Sequence, residues 1–166
     1  NNVKILEFNR LIKDLNGLSK EAFLKEIEMN FEIENQWQHP FQPKNKHEFG
    51  MYLDNAFYKI TYRKENQHFT TALESLDTQI LYENVLLPIL NIKDLRNDER
   101  IEYLSGKHSI LEVKQKIDDE EFAVGFILFP SNINEIKALA DQNLIMPPKS
   151  TYIEPKFRSG LVIYEL

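Results

Sequence analysis

The run over residues 122–129 constrains the fold of this chain more than any other feature, because it is the most hydrophobic stretch of the sequence. Charged residues precede it, and Pro130 follows it directly. A short apolar run enclosed by such breakers is typical of a strand that is buried on both faces. The run is far too short to cross a bilayer. The sequence therefore predicts a central strand of a sheet at this position.

The remaining periodic segments predict the elements around that strand. Further strands are predicted over residues 3–15, 31–34, 47–53, 56–63, 100–104 and 160–164, and helices over residues 20–30, 76–90, 109–117 and 132–142. Hairpins alternate with helical crossovers in this order, which favours an α+β architecture. We predict a mixed, largely antiparallel sheet with about four helices, in a single domain that covers residues 1–166.

Three local signals fix the ends of predicted elements. Asp54-Asn55 separates two strand-like runs, as expected for the turn of a hairpin. Ser19 is a suitable cap for the helix over residues 20–30. At the start of the last helix either Ser131 or Asn132 can be the cap, and Glu135 lies three residues after Asn132, in the spacing of a capping box.

Composition excludes several classes of site. The sequence has no cysteine, which excludes disulfides, thiolate nucleophiles and zinc–thiolate centres and fits a reducing compartment. The formal net charge is −6, and the main basic cluster is Lys149, Lys156 and Arg158. Because phosphate neutralisation supplies most non-specific affinity for DNA, we expect no nucleic-acid binding at physiological salt. No apolar segment follows a basic start, and we predict a cytoplasmic protein.

The candidate catalytic and metal-binding residues do not combine into a known motif. The four histidines, which are His39, His47, His68 and His108, lie far apart in the sequence, so we predict no metal site and no cofactor. Asp77 is interpreted as a helix cap, and Arg10 and Asp14 as a structural ion pair near Asn9. The catalytic residues are unknown, and the sequence leaves open whether the chain is an enzyme.

Four segments carry a resemblance to a known family. They are Phe8-Asn9-Arg10 with Lys13-Asp14-Leu15-Asn16-Gly17-Leu18; Phe49-Gly50-Met51-Tyr52; Leu76-Asp77 with Ile80-Leu81 and Pro88-Ile89-Leu90; and the tail Met146-Pro147-Pro148-Lys149-Ser150-Thr151 with Pro155-Lys156 and Ser159-Gly160-Leu161. Together they resemble the bacterial "domain of unknown function 1015" family. Ile153 departs from the pattern, because relatives usually carry a second aromatic residue there.

The resemblance implies that the chain is the C-terminal half of a longer bacterial protein. Members of the family carry an upstream Gly-His-His-Arg-Tyr segment, which is similar to the phosphate-handling motif of ParB-like domains, including free-serine kinases. Three roles follow. The chain is a module that binds a small anionic or phosphorylated ligand, or half of a composite site for phosphotransfer on a small amino acid, or a DNA-associated, partition-like protein. The acidic net charge argues against the last role.

The tail is the predicted ligand site, with Lys149, Ser150, Thr151, Lys156 and Arg158 as the candidate residues. A lysine followed by two hydroxyl groups can donate several hydrogen bonds to an anion. The two preceding prolines restrict the backbone and so lower the entropic cost of ordering the loop. The alternative is a rigid loop that docks on the sheet, with its hydroxyl groups bonded to its own backbone.

Overall fold

The computed structural model describes residues 4–105 and 110–154 of the chain. Eight strands and four α-helices form this part, and a turn of π-helix directly follows the second helix. In chain order they are β1 (Lys4–Leu6), β2 (Phe8–Ile12), α1 (Lys20–Glu28), β3 (Phe31–Trp37), β4 (Glu48–Leu53), β5 (Ala56–Tyr62), a 3-10 turn (Lys64–Asn66), α2 (Asp77–Leu81), the π-turn (Tyr82–Leu86), β6 (Ile101–Ser105), α3 (Ile110–Asp118), β7 (Val124–Leu128), α4 (Ile133–Asp141) and β8 (Tyr152–Glu154).

Six of the strands form one sheet in the order β3-β5-β4-β7-β2-β6, and β1 pairs with β8 in a separate two-stranded sheet. Every pairing between the described strands is antiparallel. The predicted α+β single domain with about four helices is therefore confirmed. The parallel pairs that a mixed sheet would contain do not occur within residues 4–105 and 110–154.

The apolar run over residues 122–129 forms β7, and its predicted central position is confirmed. β7 pairs with β4 on one side and with β2 on the other, and all five of its residues are buried. Gly125 is required here, because a Cβ atom on this residue would lie 2.6 Å from Val113 Cγ1 of α3. The helix can therefore pack directly against the strand.

The sheet separates two apolar cores. The larger core contains Val124, Phe126 and Leu128 of β7 together with buried residues of α1 and α2. The smaller core contains Ile127 and lies under α3. The aromatic stretch over residues 49–62 contributes to both cores, because alternate residues of its strands face opposite sides of the sheet.

The local signals in the sequence are confirmed. Asp54 and Asn55 both have positive φ angles, of 43° and 62°, as in the primed turns that join twisted strands. The Ser19 side chain accepts a hydrogen bond from the Ala22 N–H at the start of α1. Asn132, and not Ser131, caps α4, where Glu135 completes the capping box.

Other predictions differ from the structure or lie outside the described residues. The helix predicted over residues 76–90 is α only to Leu81 and then widens into the π-turn, because an apolar face does not distinguish the two windings. The tail, in which no strand is predicted before residue 160, contains β8. The strand predicted over residues 160–164 and the first residue of the helix predicted over residues 109–117 lie outside the described residues. Within the described ranges, no helix combines the length and the apolar character needed to span a membrane.

Candidate functional site

The buried polar side chains gather at one end of the six-stranded sheet. Those that are less than a tenth exposed in the described part of the chain are Glu7, Asn9, Arg10, Asp77, Thr78, Ser131 and Ser150, and we call this group the buried polar cluster. They come from the start of β2, the first turn of α2, the segment between β7 and α4, and the loop before β8. Buried polar groups away from a functional site are normally few and fully bonded, which makes this concentration a candidate site.

Arg10 is the cation of the buried polar cluster, and it is only 3% exposed. Its guanidinium group donates hydrogen bonds to two backbone carbonyl oxygens, those of Phe8 and of Lys149, the latter at 3.2 Å. It also lies over the ring of Tyr103, 5.5 Å from the centroid. None of the ion pairs formed between described residues involves Arg10. Burial lowers the pKa of Arg10, and the nearby charge of Glu7 opposes that effect.

Glu7 is the acidic counterpart, and it lies between β1 and β2 with 3% exposure. Its Oε1 atom accepts hydrogen bonds from the backbone N–H of Ser131 at 2.7 Å and from the Ser131 hydroxyl at 2.8 Å. Its Oε2 atom is buried and has no hydrogen-bond partner among the described residues. Burial raises the pKa of Glu7 from 4.5 to about 7, although Arg10 and Ser131 act in the opposite direction.

His47 and Asp77 form a second polar contact in this region. The Asp77 Oδ1 atom accepts a hydrogen bond from the His47 backbone N–H at 2.9 Å and lies 2.9 Å from the ring Nδ1 atom. Burial raises the pKa of Asp77, and the hydrogen bonds from His47 oppose the rise. The cap of α2 is Leu76, so the prediction that Asp77 caps this helix is wrong. The carboxylate instead holds the loop before β4, which is 30 residues away in the sequence.

The predicted ligand loop covers Arg10. The Ser150 hydroxyl donates a hydrogen bond to the Pro147 carbonyl oxygen at 2.6 Å, and its Oγ atom lies 3.4 Å from Thr78 Oγ1. Lys149 is exposed, and its ammonium group lies 5.5 Å from the ring centroid of Phe8. The φ angle of Lys149 is 57°, in the left-handed region that residues with a side chain rarely adopt.

Two clefts lie side by side along this loop. The first has a volume of about 400 Å³ and is lined by Gln79, Tyr82, Lys93, Asp94, Leu95, Arg96, Ile145, Pro147 and Pro148. The second has a volume of about 370 Å³ and is lined by Phe8, Leu95, Arg96, Ile101, Glu102, Tyr103, Pro148 and Lys149. Leu95, Arg96 and Pro148 line both clefts, so the two form one groove, whose lining includes three cationic and two acidic side chains.

The structure brings only some of the predicted residues together. Lys149, Ser150 and Thr151 lie in the loop beside the groove, whereas Lys156 and Arg158 lie outside the described residues.

The predicted pair of Arg10 with Asp14 is wrong, because Asp14 is exposed and its Oδ1 atom lies 3.4 Å from the guanidinium group of Arg100. In the described part of the chain, no group of three or more His, Asp or Glu side chains could hold a metal ion.

Sequence reasoning missed Glu7, Thr78 and Ser131 as members of the buried polar cluster. The signal for Glu7 was present, since a glutamate interrupts the apolar residues Leu6 and Phe8. A charge inside a strand that packs on a core needs a partner, which marks it for attention. Ser131 had no comparable signal, because a serine before a helix is explained by capping alone.

The comparison with protein families agrees with the resemblance described above. A family model described as "Protein of unknown function (DUF1015)" matches residues 1–79. The resemblance to this family is confirmed over those residues. The matched segment contains Glu7 and Arg10 and reaches Asp77 and Thr78, whereas the Pro-Pro-Lys-Ser-Thr motif lies beyond it. No curated protein matches the chain significantly.

Solved structures provide a similar fold. Two point mutants of free serine kinase, each in complex with AMP, match with TM-scores of 0.52 and 0.51 at 13% and 16% sequence identity. Each match covers 91% of this chain and 54% of the other, so the chain spans about half the length of those structures. At this identity the likeness shows the fold alone.

Proposed function

We propose that the chain binds a small phosphorylated or otherwise anionic ligand in the groove along residues 146–151. The observation that carries this proposal is the contact between the buried Arg10 guanidinium group and the Lys149 carbonyl oxygen. It holds the loop in place where Lys149 and Arg96 line the second cleft. Cations at the mouth of a partly enclosed cleft interact with an anion more strongly than they would in bulk water.

The backbone of Lys149 supports the same conclusion. A lysine in the left-handed region costs free energy, and such residues persist where the surrounding structure holds them, often at ligand sites. Here Arg10 bonds the carbonyl group of Lys149, and Ser150 bonds back to Pro147. The strain is therefore maintained by neighbouring contacts, and its result is a lysine side chain placed over Phe8 at the cleft.

The other candidate residues extend this proposal. The Ser150 hydroxyl already bonds to Pro147, so we assign Ser150 to the binding of an anion through its backbone N–H. Thr151 is half-buried and contributes its hydroxyl group. Lys156 and Arg158 follow the loop in the sequence and are proposed to add positive charge to the same ligand.

A second candidate function is half of a composite site for phosphotransfer on a small amino acid. Two observations favour it: the fold is similar to that of free serine kinase in complex with AMP, and the chain spans about half the length of those structures. In this proposal the chain is the C-terminal half of a cytoplasmic protein, and the groove along the loop binds the nucleotide. The remaining catalytic groups come from the other half.

The proposal is tested by calorimetric titration of ADP and of inorganic phosphate into the chain. We expect both to bind, and we expect Lys149→Ala and Arg96→Ala each to weaken binding by about tenfold or more, since each removes a charge-assisted hydrogen bond. Lys25→Ala is the control, because it removes the same charge from the last turn of α1. Binding of ADP much more tightly than phosphate favours the second candidate.

Two results contradict the proposal. One is the absence of binding by the wild-type chain at millimolar ADP and phosphate. The other is an affinity that falls equally in Lys149→Ala and in Lys25→Ala, because net charge alone would then explain the loss.

A further inference from the structure

The unpartnered oxygen of Glu7 is a feature that the folding of the chain does not explain. One carboxylate oxygen receives two hydrogen bonds from Ser131, and the other is buried without a partner among the described residues. An ionised carboxylate in this position leaves its charge incompletely compensated, which costs free energy. A neutral carboxylic acid costs less, because a protonated oxygen carries no charge into the interior.

Desolvation has the largest influence on the protonation of Glu7, and it favours the neutral form. Arg10 on β2 and the two hydrogen bonds from Ser131, in the segment before α4, favour the ionised form. Asp77 on α2 disfavours the ionised form. Together they raise the pKa of Glu7 to about 7, so both protonation states are populated near neutral pH.

Arg10 connects this carboxyl group with the proposed anion site. The same guanidinium group attracts Glu7 and donates a hydrogen bond to the Lys149 carbonyl oxygen. Arg10 lines neither cleft, so it acts on an anion beside Lys149 through the charge that it carries beneath the loop. The negative charge of the anion then opposes the ionised form of Glu7, which can respond by taking up a proton.

We propose that Glu7, within the buried polar cluster, is coupled to the anion site and takes up a proton from solvent when the anion binds. This inference rests on the function proposed above. The proton adds to the carboxylate of Glu7, which becomes a neutral carboxylic acid, and no bond of the ligand is broken. Because linkage is reciprocal, the affinity for the anion decreases as the pH rises through the titration of Glu7.

The experiment measures the protons taken up with ADP. Calorimetric titrations of the full chain in two buffers with different ionisation enthalpies give the number of protons bound at pH 5.5, 7 and 8. The variant Glu7→Gln is measured in parallel, because the titration of ADP itself cancels in the difference between the two proteins. We expect the wild-type chain to take up about half a proton more than Glu7→Gln at pH 7. At pH 5.5 the two proteins should take up nearly the same number, because Glu7 is already protonated before ADP binds.

Glu102→Gln is the matched control. Glu102 is exposed and lines the second cleft, so its substitution removes the same charge from the surface of the site without changing the buried polar cluster. We expect this variant to take up the same number of protons as the wild-type chain, although its affinity for ADP changes.

Ser131→Ala provides a second measurement in case Glu7→Gln does not fold. It removes one of the two hydrogen bonds to Glu7 Oε1, and with it a contact that favours the ionised form. The proton uptake should therefore move to higher pH in this variant. An unchanged pH profile would contradict the inference.

The outcomes separate this inference from the proposed function. Equal proton numbers for the wild-type chain and Glu7→Gln, with ADP bound by both, overturn the role of Glu7 and leave the anion site intact. Loss of the proton uptake in Glu102→Gln also overturns it, because the uptake would then reflect the net charge of the groove. No binding of ADP or phosphate by either protein overturns the anion site and this inference together.

Discussion

Ile127 and Glu7 are buried to a similar degree, with 1% and 3% of their surfaces exposed, yet their surroundings differ in kind. Ile127 lies at the centre of the sheet and contacts apolar side chains of the smaller core. Glu7 lies at the polar end of the sheet, where one of its oxygens has no partner among the described residues. Burial stabilises the fold at the first position and costs stability at the second. A buried carboxylate that destabilises an otherwise well-packed sheet indicates that the residue has a role other than folding.

Ile127→Asp should have the largest effect, because it introduces the chemistry of Glu7 at the centre of the sheet. The smaller apolar core that surrounds this residue contains no charged side chain, and the hydroxyl group of its member Tyr52 already donates a hydrogen bond to Asp118. We expect the free energy of unfolding to fall by about 4 kcal/mol, enough to unfold many domains of this size. Urea denaturation monitored by circular dichroism measures the loss. A variant with the wild-type midpoint would contradict the central position of β7.

Glu7→Gln tests the other half of the comparison, because it removes the buried charge from the polar end of the sheet. The pKa of Glu7 is higher in the folded protein than the ordinary 4.5, so ionisation destabilises the fold as the pH rises from about 4.5 to about 7. Over this pH range the free energy of unfolding falls by about 3 kcal/mol. We therefore expect Glu7→Gln to be more stable relative to wild type at pH 8 than at pH 4, by about that amount.

Denaturation curves of both proteins at pH 4 and pH 8 test this expectation. Glu34→Gln is the control, since Glu34 is exposed on β3 and carries the same charge. The prediction fails if the difference in stability between Glu7→Gln and the wild-type chain is the same at both pH values.

Ser150→Ala removes a hydroxyl group that is buried in the loop covering Arg10. The Ser150 hydroxyl donates to the Pro147 carbonyl oxygen, and its loss should lower the free energy of unfolding by about 1 kcal/mol. The effect is smaller than at Ile127 because no charge is buried, and the hydroxyl group makes one short hydrogen bond and one long contact, with Thr78 Oγ1 at 3.4 Å. Urea denaturation of both proteins measures it, and an unchanged midpoint would mean that this bond does not hold the loop.

Lys149→Ala should have the smallest effect on stability. The side chain is exposed, and its contact with the Phe8 ring is the type that contributes about 0.5 kcal/mol at an exposed site. A thermal melt should therefore resemble that of the wild-type chain, while the affinity for phosphate falls. A large loss of stability would show that Lys149 serves the fold instead of a ligand.

The sequence predicts the sheet better than the site, because the two depend on contacts of different range. The turn at Asp54-Asn55 and the capping box of α4 are determined by residues within a few positions of one another, and both are confirmed. The contact of Ser131 with Glu7 joins residues that are 124 positions apart. Rules of local spacing do not apply to residues that are so far apart in the sequence. The buried polar cluster therefore depends on the pairing of the strands and could not be predicted from the sequence.

The same contrast explains the errors at single residues. Asp77 next to an apolar helix favours a capping interpretation, yet its carboxylate bonds to His47 on a distant loop. Arg10 and Asp14 are close in sequence and suggest an ion pair, yet Arg10 is buried under the loop at Lys149 and Asp14 pairs with Arg100. In both cases the nearest polar neighbour in the sequence is not the partner in the fold.

The two-residue turn between β4 and β5 has a consequence for the order in which the chain folds. Hairpins of this kind close within microseconds, whereas contacts between distant residues are slower because a long loop must first be closed. We therefore expect the hairpin to belong to the folding nucleus and the loop at Ser150 to dock after the rate-limiting step. Replacing Asn55 with a β-branched residue such as valine should slow refolding, while Ser150→Ala should accelerate unfolding and leave the refolding rate unchanged.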